Sequence, residues 1–335
     1  MIPGDPSDNG GTMKKDKTLD RPYLDRLENT GFKPIFVLGL PRSGTSILYK
    51  MLTKTGCFNA VESYHVINYD QLLYNHLNGK EEQARQELDD EFDKEGVDDR
   101  GIDRLNITAD FPEEYGYILG SELTEMYIKP TTVDRFTEMG RKIQFISEKD
   151  DPLLLKNPFD FPNVKYIKNK FPDSKFVFIA REPIDIFDST FRAIHHLLKY
   201  KNPYSMRIFD HYRRLYNRRV RLRLIRFFFD NMPMLPLMAI TKVEEKATER
   251  FLEQVKEIPE DSYTHVKYEE LCNNPQETME HILDFLGCEE GKDMDFSSFI
   301  SPRDTSTEEC VKKLKRYIMR HMDHYCEYFD YNGYG

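Results

Sequence analysis

Residues Pro34 to Leu40 (PIFVLGL) form an unbroken apolar run with β-branched and aromatic members, and Pro41-Arg42-Ser43-Gly44 follows at once. The next stretch places Ile47, Leu48, Met51 and Leu52 on one helical face. This is strand, glycine-containing turn and helix in succession. A second run, Lys175 to Ala180 (KFVFIA), repeats the logic: the turn Pro172-Asp173 precedes it, and Glu182-Pro183 and a helix-like stretch from about Ile184 to Leu198 follow. Shorter strands are predicted at 153–155 and 263–268, with helices at 44–55, 67–78, 112–126, 163–171, 206–229, 243–256, 275–286 and 307–326. Strands interleaved with helices predict an α/β fold: a three-layer domain whose central, mostly parallel sheet is covered on both faces.

One such domain is expected over residues 21–335, behind a flexible arm at 1–20 that is rich in Gly, Pro, Asp and Lys. The segment 80–104 holds eleven acidic against five basic residues and reads as a solvated helix-and-loop insertion. Five cysteines, scattered without a C-x-x-C pair, read as free thiols of a reducing compartment and not as a disulfide or zinc framework. The N-terminal stretch lacks an apolar core of signal-peptide length, and no run of about 18 apolar residues occurs, so the expected location is cytoplasmic, without a transmembrane segment.

The formal charge of −10, from 48 basic and 58 acidic residues, excludes indiscriminate coating of nucleic acid. Between Lys199 and Arg226, however, ten Lys/Arg face a single acid, Asp210, giving a local +9 and leaving −19 for the rest. The apolar stretch FFFDNMPMLPLMA follows at 227–239. Three readings stay open here: a solvated helix beside ordinary core, a surface for an acidic acceptor or donor phosphates, and a peripheral membrane contact through 207–239.

Gly39-Leu-Pro-Arg-Ser-Gly44-Thr45-Ser46 has the spacing of a nucleotide P-loop. Backbone N–H groups of 43–46, with the start of the following helix, would cradle an anionic group. Yet Thr45 stands where an NTP-hydrolysing loop carries Lys, and neither long strand ends in an Asp suited to Mg²⁺. The loop therefore suits an anion other than a metal-bound triphosphate. Arg181 follows the second strand, at the carboxyl edge where open α/β sheets bind ligands, and Ser189 lies about two helical turns on. Together they can hold one phosphate, Arg by its fork and Ser by its hydroxyl. Lys156 ends a third strand at the same edge.

These blocks resemble the sulfotransferase family. PRSGTS after an apolar strand is similar to its 5′-phosphosulfate loop, and LLKNP at 154–158, FPDSKFVFIAREP with Ser189, and VKYEELCNNPQETMEHILDFLG at 266–287 follow in the family's order. The resemblance is greatest to the branch of tyrosylprotein and bacterial small-molecule sulfotransferases. It implies the same fold, with 3′-phosphoadenosine 5′-phosphosulfate as donor and a hydroxyl-bearing acceptor of undetermined class. It implies that Arg42, Ser43, Gly44, Thr45 and Ser46 bind the phosphosulfate, that Arg181 and Ser189 bind the 3′-phosphate with Arg192 nearby, and that Arg42 and Lys156 stabilise charge. No metal is required by that inventory. The His that cytosolic aryl and steroid members use as base is absent, since Asn157 and Pro158 follow Lys156. Glu62, about twenty residues beyond Arg42, matches the other branch's base; His65 is the runner-up, and Arg303 a candidate phosphate contact. The alternatives are a P-loop nucleotide kinase and a non-catalytic nucleotide-binding relative.

Overall fold

The computed structural model describes residues 19–101, 106–289, 291, 293–300 and 306–331. The chain runs through β1 (Pro34–Leu38), α1 (Thr45–Lys54), β2 (Asn59–Ala60), α2 (Ser63–Ile67), α3 (Leu72–Leu77), α4 (Glu81–Glu95), α5 (Gly116–Leu119), α6 (Val133–Ser147) and β3 (Leu153–Lys156). It continues with α7 (Val164–Lys170), β4 (Lys175–Ala180), α8 (Pro183–Lys199), α9 (Pro203–Ile208), α10 (Asp210–Asn217), α11 (Arg219–Asn231) and α12 (Met234–Val255). Then come β5 (Tyr263–Lys267), α13 (Tyr268–Asn273), α14 (Pro275–Leu286), α15 (Glu309–His321) and α16 (Asp323–Tyr328).

The five strands form one sheet in the order β2-β3-β1-β4-β5, and every pairing is parallel. β1 is the central strand, in register with β3 (Pro34 opposite Leu153) and with β4 (Ile35 opposite Lys175). All five of its side chains are buried, as an apolar run without alternation requires. Phe36 and Leu38 face one core with Phe176, Phe178, Phe136 of α6, Phe187 of α8 and Phe251 of α12. Ile35 and Val37 face the other, with Leu48 and Met51 of α1 and Ile282 and Leu283 of α14. Aromatic stacking continues the first core outward: Phe36 lies 5.5 Å from Phe176, and Phe161 lies 4.1 Å from Phe251.

The α/β expectation holds, and several local expectations are corrected. The two-residue β2 and the whole of α6 were not anticipated, although Phe136, Met139, Ile143 and Ile146 of α6 are buried at helical spacing. The helix expected at 112–126 shrinks to α5 and one short 3-10 turn, and the extended backbone of Gly120 separates the two. The helix expected at 206–229 is cut at Phe209 and Arg218, where ψ reaches 93° and 73°. The 80–104 insertion is not solvated throughout, since Leu88 and Phe92 of α4 are buried four residues apart on one face. The 1–20 arm lies outside the described residues except for its end, where Asp20 is buried against Lys142 (2.9 Å). Among the described residues no helix is long and apolar enough to cross a membrane.

The free-thiol reading is overturned for two cysteines. Cys57, after α1, and Cys288, after α14, form a disulfide with Cα atoms 6.3 Å apart, and Cys272, Cys310 and Cys326 are thiols. Their 231-residue separation hid the pairing; both follow helices that pack on the same face of the sheet. Thus the cysteine pattern no longer supports a reducing compartment. Unreduced protein in denaturant should titrate three thiols, and reduction should lower stability by about 2–4 kcal/mol; five titrating thiols would contradict the pairing.

A second prediction concerns Glu244 of α12, which is only 9% exposed. Burial pushes its carboxyl from an ordinary 4.5 up to about 7. Because the folded state holds this proton more tightly than the unfolded chain, stability is lost as pH rises between those two values. Glu244→Gln should therefore be more stable than the parent above pH 7 by about 3 kcal/mol, converging with it toward pH 4.5, in urea denaturation followed across pH.

Candidate active site at the carboxyl edge of the sheet

Parallel strands bring all their carboxyl ends to one edge, so the sheet order also orders the side chains that follow each strand. β2 and β3 pair with Ala60 opposite Leu154, so Glu62, two residues beyond β2, and Lys156, the last residue of β3, both come at this edge. Next along the edge is the loop after β1, then Arg181 after β4, then Tyr268 after β5.

The loop itself is locally constrained. Arg42 has φ 70° and Gly44 φ 108°, so two left-handed residues flank Ser43. For Arg such a conformation costs about 1–2 kcal/mol; the Ser43 N–H is used within the turn, donating to the Leu40 carbonyl (3.1 Å). Gly44 is required twice over, since a Cβ there would lie 2.5 Å from the Tyr268 ring. The first intrahelical bond of α1 runs from Leu48 N to Gly44 O (3.1 Å), which leaves the N–H groups of Thr45, Ser46 and Ile47 as the helix's unpaired opening donors.

Around this loop the structure gathers the expected residues. Arg42 Nε donates to Ser189 Oγ (3.1 Å), and Arg181 Nη1 donates to the Arg42 carbonyl (3.4 Å) while its guanidinium stacks 4.5 Å over the Tyr268 ring. Lys156 is fully buried, and its Nζ donates to Ser46 Oγ (3.1 Å) and pairs with Glu114 (3.3 Å). Two buried polar atoms of the cradle, Ser43 Oγ and Arg181 Nε, have no hydrogen-bond partner among the described residues. Arg192 is further out, pairing with Asp188 (2.7 Å) and Glu308 (3.6 Å), and Arg303 lies outside the described residues.

Glu62 is the N-cap residue of α2, and Arg85 Nη1 pairs with its Oε2 (2.7 Å). Its side chain is 26% exposed; desolvation pushes the carboxyl upward, with Arg85 pulling the other way. His65 is buried and its Nδ1 accepts the Glu62 backbone N–H (3.1 Å). Burial and the Arg85 charge push its imidazole down to about 3, so it stays neutral.

Four further residues join the site without having been anticipated. Arg100 Nη2 donates to Ser46 Oγ (3.2 Å), so two cations converge on one hydroxyl oxygen. Its Nη1 pairs with the fully buried Glu113 (3.3 Å), whose Oε2 accepts from the Tyr204 hydroxyl (2.7 Å). Burial pushes the Glu113 carboxyl up, against the pull of Arg100 and Lys156. Arg85, the fourth, comes with Arg100 from the segment read as a solvated insertion. The isolated bridge between Glu62 and Pro112 is what brings 113–114 to this edge. No spacing rule links these positions; the only local sign was the adjacent Glu113-Glu114 pair in FPEEY.

With this geometry in view, the comparisons with known proteins are concordant. The sequence pattern described as "Sulfotransferase family" matches residues 34–232 and 234–292. The structure is similar to sulfotransferase STF1 from Mycobacterium tuberculosis H37Rv, with TM-score 0.59 and 15% identity over 90% of this chain and 80% of that one. It is also similar to sulfotransferase STF9 from Mycobacterium avium, with TM-score 0.56 and 14% identity over 93% and 81% of the two chains. At such identities the likeness is one of fold. No curated protein matches the chain by sequence.

The Arg100–Glu113 pair gives a direct test of the site's electrostatics. Arg100→Ala should destabilise the fold by about 3 kcal/mol or more, because it strands a buried carboxylate. Adding Glu113→Gln should recover part of that loss in a double-mutant cycle of urea denaturation; strictly additive losses would show that the two groups do not interact.

Proposed function

The chain belongs to the sulfotransferase family, and from that premise we propose that it moves a sulfonyl group from 3′-phosphoadenosine 5′-phosphosulfate to a hydroxyl acceptor, with Glu62 as general base. The observation that carries this reading is the alignment along the carboxyl edge. Glu62 follows β2, Lys156 ends the neighbouring β3 and reaches Ser46 of the phosphate loop, and Arg42 of that loop reaches Ser189.

The residues fit the donor. The left-handed positions 42 and 44 and the unpartnered Ser43 Oγ and Arg181 Nε form a cradle with hydrogen-bonding capacity to spare. Thr45, in place of the Lys of an NTP-hydrolysing loop, agrees with a donor other than a metal-bound triphosphate. When bound, the donor supplies an activated sulfonyl group on a phosphate leaving group. Ser43 by its hydroxyl, and Gly44, Thr45 and Ser46 by backbone and hydroxyl donors, would hold its 5′ end, and Arg181 with Ser189 its 3′-phosphate. Lys156 and Arg42 would set positive charge beside the loop, where negative charge develops. Arg85 occupies Oε2 of Glu62, so Oε1 would take the acceptor's proton. Its upward-shifted carboxyl makes Glu62 a stronger base than an exposed glutamate.

Incubation with labelled donor and a panel of hydroxyl acceptors tests the assignment. Glu62→Gln should lower kcat by about 10²–10⁴-fold and Lys156→Ala by about 10²–10³-fold. In the parent, kcat/KM should rise with pH through an apparent pKa above the usual carboxylate range, and Glu62→Gln should lack that limb. Unchanged turnover in both variants would remove both assignments.

A further inference from the structure

Most large apolar side chains that the fold leaves exposed lie in one place. Val220, Leu224 and Phe227 of α11 are 74%, 56% and 52% exposed, and Met232, Met234 and Leu235 at the α11–α12 junction are 44%, 44% and 48% exposed. At 3.6 residues per turn, Val220, Leu224, Phe227 and Phe228 span an arc of about 100° on α11. The opposite side of the helix carries the buried Leu222 and Phe229. Arg221 borders the exposed arc on one flank, and Arg219 and Arg223 border it on the other. All three arginines are exposed, and none forms a salt bridge among the described residues.

The surrounding contacts hold this face in place. Phe229 stacks on Phe191 of α8 (5.3 Å), and His195 of α8 meets Asp230 (2.7 Å). The more proximal cations of the same basic stretch are spent on the protein itself: Arg207 on Glu91 and Glu95, Arg214 on Glu122. What remains outward is an apolar strip with arginines on both sides.

We propose that this face docks on an anionic lipid bilayer, the apolar strip entering the interfacial region and Arg219, Arg221 and Arg223 pairing with acidic headgroups. Apolar area and flanking cations are the two features such docking uses together. Charge complementarity selects the occupant. The exposed Arg219, Arg221 and Arg223 attract an anionic surface, while the chain outside 199–226, at −19, is repelled by it on average. A second copy of this chain laid face to face about a twofold axis would bring its arginines against the first copy's, whereas acidic headgroups match them.

Flotation with vesicles of phosphatidylcholine, alone or with about 30% phosphatidylserine, provides the test. The full chain should float with the anionic vesicles only, and less as salt is raised. R219Q/R221Q/R223Q should weaken binding by about 100-fold and Leu224→Ser/Phe227→Ser by at least about tenfold. Because every changed side chain is exposed, circular dichroism and thermal unfolding should match the parent. Absence of flotation, or equal flotation of parent and variants, overturns the proposal. So does a concentration-dependent dimer in sedimentation velocity that L224S/F227S abolishes while no vesicle is bound, which would assign the face to a second copy.

Discussion

The junction between the buried central strand and the first helix governs the rest of the architecture. β1 has neighbours on both sides and cores on both faces, so it cannot shift without disturbing every layer. A loop leaving such a strand has little freedom of its own. Here it adopts left-handed backbone at Arg42 and Gly44, and the strain at Arg42 persists because the strand behind it and the helix ahead of it determine the path. The same turn aims the opening N–H groups of α1 at the sheet's carboxyl edge. Ligand cradle and fold are thus one structure.

Placing cations around that cradle carries a desolvation cost, which the fold offsets with carboxylates. Lys156 is fully buried and is matched by Glu114; Arg100 is matched by Glu113, and Arg85 by Glu62, Glu81 and Asp110. Single members of such sets are hard to remove because the partner is left charged in a poorly solvated place. Overall acidity is no obstacle to anion binding in this arrangement. In the proposed reading, the loop would meet an anionic ligand with locally ordered donors.

Much of this was legible in the chain because it is local. PIFVLGL with PRSGTS reads as a buried strand turning into a helix through a phosphate-sized loop, and Arg181 and Ser189 read as a strand end and a helix position two turns on. What could not be read was long-range. Arg85 and Arg100 sit in a segment whose composition is acidic, yet Leu88 and Phe92 turn its inner face to the core and carry both arginines to the edge. Glu113 arrives through a single bridge to Glu62, and Cys57 meets Cys288 across 231 residues. Helix α6 was a different omission: its apolar periodicity, the N-cap Thr132 and the Asp151-Pro152 pair beyond its end were all present in the sequence.

The central claim is that the 39–46 loop, with Arg181 and Ser189, forms a metal-independent bisphosphate site. Titration calorimetry with 3′-phosphoadenosine 5′-phosphate in the presence of a chelator addresses it most directly. The account predicts saturable one-to-one binding that chelation leaves intact and that Mg-ATP does not compete for effectively. No heat from the bisphosphate, together with clear binding of Mg-ATP, would contradict it.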